Sequence, residues 1–214
     1  MCDAKYVSLC EGDDYWTDPN KLQMQIDFLE SHPEYSMCFH NAIEHYENSS
    51  IKDKLFSKIE DKDYSDIEIL SQWIVPTASV VLRKEVYNSR LYKIISADIK
   101  PLFGDTPLFI ATAQVGKVRG LSNIMSVYRR QETGAVFNNV FDNPQKRDKI
   151  LNDYYQIAKA VGTHLMEPII RKHLQYFYEY KQPKYFVRAF WLSPLKTLKN
   201  VCRGFLFLIK NKLT

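Results

Sequence analysis

Residues 6–16 read YVSLCEGDDYW and join a short apolar run to a cluster of three carboxylates. The apolar run, residues 6–10, predicts a buried β-strand. The carboxylates of Glu11, Asp13 and Asp14 repel one another unless a cation or an ordered turn accepts their charge. Because hard divalent cations prefer oxygen ligands, the pattern indicates an Mg2+ or Mn2+ site that holds a nucleotide diphosphate. The alternative, from these residues alone, is a solvated acidic turn.

The sequence after the acids predicts a βαβ-like unit. Asp18 suits a helix N-cap, and Pro19 suits the first helical position because it lacks the N–H that would be unpaired there. Apolar residues then recur at helical spacing until Pro33 ends the pattern, at Leu22, Ile26 and Leu29. Residues 37–40, MCFH, predict a second short buried strand. The acids would follow the carboxyl end of the first strand, where open α/β sheets bind their ligands.

Residues 4–41 of this chain, AKYVSLCEGDDYWTDPNKLQMQIDFLESHPEYSMCFHN, resemble the middle of a family 2 glycosyltransferase with the GT-A fold. In that family an acidic DxD or DxDD cluster, often followed by an aromatic residue and a Trp, binds the metal and the sugar nucleotide. The resemblance implies that Asp13 and Asp14 contact the metal, Mn2+ or Mg2+, and the ribose or diphosphate of the donor. Glu11 stands where the family usually has its first Asp, and its longer side chain moves the carboxylate relative to the metal.

Two later segments resemble the family in the expected order. Residues 73–84, WIVPTASVVLRK, resemble the loop and strand ahead of the acceptor site. Residues 103–109, FGDTPLF, resemble the segment whose Asp is the catalytic base, so the resemblance implies that Asp105 is the base, with Gly104 in place of the usual first acid. From the local sequence alone, Asp105 is equally well explained as a helix N-cap, with Pro107 in the first turn.

A third segment, residues 127–134, reads VYRRQETG and resembles the YRxHxxG segment near the donor pyrophosphate. The planar guanidinium of arginine suits phosphate oxygens, and a nearby glycine lets a loop close over them. The resemblance implies that Arg129 or Arg130 binds the donor, without selecting between them. Gln131 replaces the usual His. The alternative is an exposed basic strand end.

The resemblance covers residues 4–136 and implies an inverting, metal-assisted transfer in cell-surface polysaccharide synthesis. A sugar would move from a nucleotide-sugar donor to a glycan or lipid-linked acceptor. Asp105 would deprotonate the acceptor hydroxyl, and the metal would offset the charge growing on the leaving nucleoside diphosphate. The alternative is a non-catalytic truncated remnant that acts as a membrane-peripheral or partner-binding module.

Members of the family also carry an upstream nucleotide-binding segment with a DDGS turn, and no DDGS occurs in this sequence. We therefore expect this chain to be the C-terminal part of a GT-A domain and not to catalyse transfer alone. The lack of this segment has three possible explanations. The sequence is a fragment, its start is assigned too late, or a second polypeptide supplies the missing part. An unpaired apolar sheet edge would otherwise favour aggregation.

The predicted fold is α/β, a partial GT-A (Rossmann-like) mixed sheet flanked by helices and followed by a helical C-terminal extension. The expected parts are residues 1–140 for the glycosyltransferase part, 141–180 for the helical extension and 181–214 for a basic amphipathic tail. Residues 51–66 are dense in charge and predict a solvated excursion between core elements. Cys10 and Cys38 lie in apolar runs and predict buried thiols in a reducing cytosol.

The tail, residues 181–214, contains eight of the 29 Lys and Arg residues and none of the 25 acids. Aromatic and aliphatic residues interleave with these charges, a pattern that suits an interfacial helix on anionic lipid. We therefore expect a cytoplasmic protein in peripheral contact with the inner face of the plasma membrane. The alternative is a helix that packs on the protein and has a basic outer face. Nucleic acid is not an expected partner, because no recognised binding motif is present.

Overall fold

The computed structural model describes residues 3–47, 50–130 and 143–210, with side chains of the last range described as far as residue 203. The chain forms two compact units, Met1–Ile150 and Leu151–Thr214. The described part of the first unit combines a mixed β-sheet with helices, and the described part of the second unit is helical. The α/β class is therefore confirmed.

The first unit builds its sheet from six strands in the described residues. Its elements in chain order are β1 (Tyr6–Ser8), β2 (Tyr15–Trp16), α1 (Lys21–Ser31), β3 (Tyr35–Tyr46), β4 (Lys54–Leu55), α2 (Asp66–Ser71), β5 (Val81–Arg83), α3 (Arg90–Ile94), α4 (Asp105–Val115) and β6 (Lys117–Arg130). Short 3-10 turns at Thr77–Ser79 and Lys84–Asn88 flank β5, and a π-helical turn at Ile95–Ile99 follows α3.

The strand order is β1-β5-β3-β6-β2, and β4 pairs with β3. The two long strands β3 and β6 are parallel and central, whereas the other pairs are antiparallel. Because β1 and β2 end the order on opposite sides, the acidic loop that joins them links the two edges of the sheet. β5 separates β1 from β3, so the strands of the predicted βαβ-like unit are not direct neighbours.

Helix α1 packs against the sheet next to β3 and β5. A cluster of buried residues, Leu29, Tyr35, Cys38 and Val81, joins the three elements. The guanidinium of Arg83 is buried and donates to the carbonyl oxygens of Leu29, His32 and Tyr35. The bond to Leu29 satisfies a carbonyl group that the end of α1 leaves without a helical partner, and the bond to Tyr35 ties that helix end to the start of β3.

The predicted start of α1 is wrong by two residues. Asp18 does not cap the helix, because its Oδ1 accepts from the backbone N–H of Asn20 at 2.8 Å and forms a turn before the helix. Asn20 is the N-cap, and Pro19 lies outside the helix. The helix fully buries Lys21, Gln25 and Leu29, so its inward face is more polar than the apolar pattern predicts.

Residues 51–66 are mostly exposed, as predicted, but the segment is anchored to the core. The Asn41 side chain bonds both the N–H and the carbonyl of Ile59, and Ile59 and Tyr64 are buried. Cys38 is buried as predicted, but Cys10 is exposed because β1 is a half-buried edge strand and the chain leaves it at residue 9.

The second unit is built from helices. Helix α5 (Pro144–Val161) runs across the boundary between the units and is followed by a 3-10 turn (Thr163–Leu165), α6 (Met166–Tyr180), α7 (Pro183–Leu192) and α8 (Pro194–Lys210). Ile170, Leu174 and Ala189 form its buried cluster. The predicted tail forms α7 and α8, and its last four residues lie outside the described ones. No helix in the described residues has the length and apolar character required to cross a bilayer.

Candidate functional site

The acidic loop is held at both ends by the sheet. The N–H of Leu9 donates to the carbonyl of Val80 at 3.2 Å, which extends the edge of the sheet beyond β1. Within the loop, the N–H of Asp14 donates to the carbonyl of Glu11 at 3.1 Å and closes a turn. The chain then enters β2, where Tyr15 pairs with Val127 of β6. This pairing places Asp14 beside the last residues of β6.

Asp14 is the most constrained acid of the loop. Its side chain is buried, and its Oδ1 accepts from the backbone N–H of Arg129 at 3.0 Å. Burial raises the pKa of this carboxyl to about 6, and the charge of Asp13 adds to the increase while the bond from Arg129 opposes it. Its Oδ2 is buried and accepts no hydrogen bond from the described residues. A buried carboxylate oxygen without a partner costs free energy, so the loop is suited to a cation.

Asp105 is the first residue of α4, and the N-cap explanation of it is wrong. Gly104 occupies the N-cap position, and Asp105 makes no capping hydrogen bond. Its Oδ2 instead accepts from the indole Nε1 of Trp73 at 3.4 Å. Burial raises the pKa of Glu11, and the charges of Asp14, Asp105 and Asp13 raise it further. Trp73 also packs against Tyr128 of β6, so contacts connect Asp105 to the strand that holds the acidic loop, although the two are far apart in the sequence.

An aromatic cluster of Phe56, Trp73 and Tyr128 borders the acids. The rings meet edge to face, with centroids 4.8 Å apart for Phe56 and Trp73, 5.0 Å for Phe56 and Tyr128, and 5.7 Å for Trp73 and Tyr128. Burial raises the pKa of Tyr128 to about 12, and Asp14, Glu11 and Asp13 contribute to the increase. Phe56 was not predicted as a site residue, because it lies in a charged stretch whose few apolar and aromatic side chains form no regular pattern.

Arg129 and Arg130 have different environments at the end of β6. Arg129 gives its backbone N–H to Asp14, and its Nε donates to Glu47 at 2.8 Å. Arg130 pairs through Nε with Glu44, and its guanidinium lies 5.7 Å from the ring centroid of Tyr128. Because side chains alternate along a strand, Arg130 shares a face of β6 with Tyr128. Gln131 to Gly134 of the predicted segment lie outside the described residues.

A second feature lies immediately after the loop, around Lys21. Its side chain is buried, with Nζ 3.4 Å from Ser8 Oγ and 4.5 Å from the ring centroid of Trp16. Burial lowers the pKa of Lys21 to about 8. The indole Nε1 of Trp16 donates to the carbonyl of Ala78 at 2.9 Å. An open cleft of about 400 Å³ is lined here by Trp16, Thr17, Asp18, Pro19, Lys21 and Leu22.

The arrangement of the acids is not that of a completed metal centre. Across residues 3–47, 50–130 and 143–210, no three His, Cys, Asp or Glu side chains are grouped so that they could hold a metal ion. The predicted ligands Glu11, Asp13 and Asp14 lie within four residues of one loop, and their charges raise the pKa values of Glu11 and Asp14. The oxygen that fits a cation best is Oδ2 of Asp14, since it is buried and accepts no bond from the described residues.

The sequence matches no protein-family model. It is similar to three uncharacterized mycobacterial proteins, one from Mycobacterium bovis and two from strains of Mycobacterium tuberculosis, and is 38% identical to each over 132 residues. The aligned region covers 61% of this chain and 36% of each relative. The chain thus spans about a third of the length of the curated relatives that it matches.

Proposed function

We propose that this chain is part of a GT-A, family 2-like glycosyltransferase that transfers a sugar from a nucleotide-sugar donor to a glycan or lipid-linked acceptor with inversion. The observation that carries the proposal is the chain of contacts from Asp105 to the acidic loop: Trp73 donates to Asp105, the Trp73 ring packs against Tyr128 of β6, and the next residue, Arg129, donates its N–H to Asp14. These contacts support a common site for two motifs that resemble one family and are distant in the sequence. Cell-surface polysaccharide synthesis is the process that the resemblance implies.

In this proposal Asp105 is the catalytic base. A base must lie within hydrogen-bond reach of the hydroxyl that it deprotonates. Oδ2 of Asp105 is occupied by the indole of Trp73, which fixes the orientation of the carboxylate and leaves Oδ1 as the atom that would accept the acceptor proton. The partly exposed Trp73 ring offers an apolar face to a sugar beside that carboxylate.

Asp14 would be the main protein ligand of Mn2+ or Mg2+, with Asp13 and Glu11 of the same loop adding negative charge, and water and donor phosphate oxygens would complete the coordination. The buried Oδ2 of Asp14 accepts no hydrogen bond from the described residues and supplies an oxygen of the kind these cations bind. When bound, the metal supplies positive charge that offsets the charge of the leaving nucleoside diphosphate. Each of the two arginines is paired through Nε with a glutamate, Arg129 with Glu47 and Arg130 with Glu44, so either is a candidate for a phosphate contact.

Calorimetric titration of the purified chain with UDP, GDP and dTDP, each with and without Mn2+, tests the proposal. We expect at least one nucleotide to bind in a Mn2+-dependent manner, and Asp14→Asn to abolish that binding. Asp27→Asn is the matched control, because Asp27 is an exposed acid on α1 whose carboxylate bonds only Gln23 in the described contacts. Its binding should equal that of the wild type.

Asp14→Asn has a second consequence that separates loss of a ligand from loss of the fold. The amide oxygen still accepts from the N–H of Arg129, and a buried negative charge beside Asp13 is removed. Without metal, the variant should be more stable than the wild type by about 1 kcal/mol in urea unfolding. Mn2+ should raise the midpoint of the wild type only. A well-folded chain that binds no nucleotide with Mn2+ would mean that the upstream nucleotide-binding segment is essential or that the chain is the non-catalytic module.

A further inference from the structure

Helices α7 and α8 are packed within the second unit through one face only. Tyr185 and Ala189, which are four residues apart on α7, are fully buried, and so is Thr197 of α8. The Thr197 hydroxyl donates to the carbonyl of Ala189 at 2.7 Å and ties the start of α8 to α7. Ala189 also contacts Ile170 and Leu174 of α6. The inward faces of both helices therefore have partners.

The opposite faces of the two helices carry large apolar side chains in solvent. Trp191 near the end of α7 is 81% exposed, and Leu195 at the start of α8 is 82% exposed. Val187, Phe190 and Leu198 extend this apolar surface and are each 39–49% exposed. We call these five residues the α7–α8 corner. Apolar groups that cluster on an outward face usually mark a binding surface.

Positive charge accompanies the α7–α8 corner. Lys196, Lys199 and Arg203 project from the exposed part of α8, and no Asp or Glu occurs anywhere in residues 181–214. The two acids of α6 are Glu167, which is paired with Arg171 at 2.7 Å, and Glu179, which accepts from Gln175 at 2.7 Å. The charges of Lys196 and Arg203 lower the pKa of Glu167 less than the hydrogen bond from Arg171 does. The exposed surface therefore combines apolar side chains from both helices with cationic side chains on α8, where Leu195 and Lys199 are four residues apart.

We propose that the α7–α8 corner is a docking surface for a bilayer that contains anionic phospholipid. Trp191 and Leu195 enter the boundary between headgroups and acyl chains, where an indole ring is favoured, and Lys196 and Lys199 contact the lipid phosphates. Charge complementarity selects this occupant over an apolar protein groove, since exposed cationic residues of α8 accompany the apolar ones and residues 181–214 contain no acid. The attachment is peripheral, and it is independent of the proposed sugar transfer.

Sedimentation of the full chain with vesicles tests the proposal, using phosphatidylcholine alone and phosphatidylcholine mixed with phosphatidylglycerol. We expect the chain to pellet with the anionic vesicles only, and less as salt is raised, because salt screens the attraction. The double variant Trp191→Ser with Leu195→Ser should lower the partition coefficient at least roughly tenfold. The double variant Lys196→Gln with Lys199→Gln should lower it roughly fivefold for each lysine.

Tyr178→Ser is the matched control, because Tyr178 is 49% exposed on α6, outside the α7–α8 corner. It should bind vesicles as the wild type does, and circular dichroism should show that all variants are folded. Equal binding to neutral and anionic vesicles would overturn the proposal, as would undiminished binding by the Trp191 and Leu195 variant. A change from dimer to monomer in that variant, with no binding of the wild type to vesicles, would instead assign the surface to a second copy of this chain.

Discussion

His40 is a titratable side chain in the middle of the core. It lies on β3 and is fully buried, with Nδ1 2.8 Å from the carbonyl oxygen of Asn41 and Nε2 without a hydrogen-bond partner in the described residues. The ring is therefore neutral, with its proton on Nδ1 donated to that carbonyl. Burial lowers the pKa of His40 to about 4, with Lys21 as a further cause in the same direction.

This burial predicts a loss of stability in mild acid. The unfolded chain takes up a proton on His40 near pH 6.5 and the folded chain only near pH 4, so the free energy of unfolding decreases as the pH falls through that interval. The loss from this group between pH 7.5 and pH 5 should be about 2 kcal/mol. Urea unfolding at both pH values measures this loss. The free energy of unfolding should fall between pH 7.5 and pH 5 by about 2 kcal/mol more in the wild type than in His40→Gln.

His32→Gln is the control for that measurement, since His32 is exposed and its Nδ1 lies 2.9 Å from the carbonyl of Phe28. This variant should retain the pH dependence of the wild type. If His40→Gln also retained it, His40 would be accessible to protons in the folded chain, and the close packing of the central strand would be contradicted.

At the scale of elements, segment 51–66 and strand β6 are packed more tightly than their sequences indicate. A Cβ at Gly120 of β6 would lie 2.8 Å from the carbonyl oxygen of Glu60 and 2.8 Å from Cγ2 of Ile59, and it would also meet the ring of Tyr64. The N–H of Gly120 donates to the carbonyl of Lys62 at 2.9 Å, so the two segments are hydrogen-bonded as well. Because Gly120 has no side chain, β6 and segment 51–66 can pack this closely.

Gly120→Ala should therefore destabilise the first unit by about 2 kcal/mol, because backbone on one side and a buried ring on the other leave the methyl group no space. Gly12→Ala is the control, since a Cβ at Gly12 has no neighbour within 4 Å, and it should change stability by less than about 0.5 kcal/mol. Thermal unfolding followed by circular dichroism measures both. Equal effects of the two substitutions would show that segment 51–66 does not contact β6 as described.

The elements also show which parts of the fold can be predicted from local sequence. Residues 37–40 predict a short strand, but β3 continues to Tyr46 through Asn41 and Glu44. These polar residues interrupt the apolar pattern, and only their distant partners explain their burial: the backbone of Ile59 for Asn41, and Arg130 and Lys54 for Glu44. Such long-range pairing leaves no signal in a local pattern.

In the candidate site, too, local motifs can be predicted from the sequence and long-range contacts cannot. Glu11, Asp13, Asp14 and Asp105 can be selected from the sequence, because their motifs are local and resemble one family in order. The bond from Trp73 to Asp105 and the bond from Arg129 to Asp14 join segments far apart in the chain. These bonds depend on the pairing of β2 with β6 and on the position of α4. They therefore cannot be predicted from the local sequence.

At the scale of the whole molecule, the two compact units have separate cores. Leu29 lies in the first core and Ile170 in the second, and both are fully buried. The three tryptophans divide between the units: Trp16 and Trp73 belong to the first and Trp191 to the second. In a Trp191→Phe background, tryptophan fluorescence therefore follows the first unit alone, whereas far-ultraviolet circular dichroism also follows the helices of the second.

If each core is stabilised mainly from within, the units should unfold in separable transitions, as multidomain chains do. In the Trp191→Phe background, Ile170→Ala should lower the stability of the second unit by about 3 kcal/mol and shift the dichroism transition, while the fluorescence transition stays in place. Leu29→Ala is the converse variant and should shift the fluorescence transition. If Ile170→Ala moved both signals together, helix α5, which runs across the boundary, would couple the units into one cooperative structure, and a lesion in the second unit would then also disturb the acidic loop in the first.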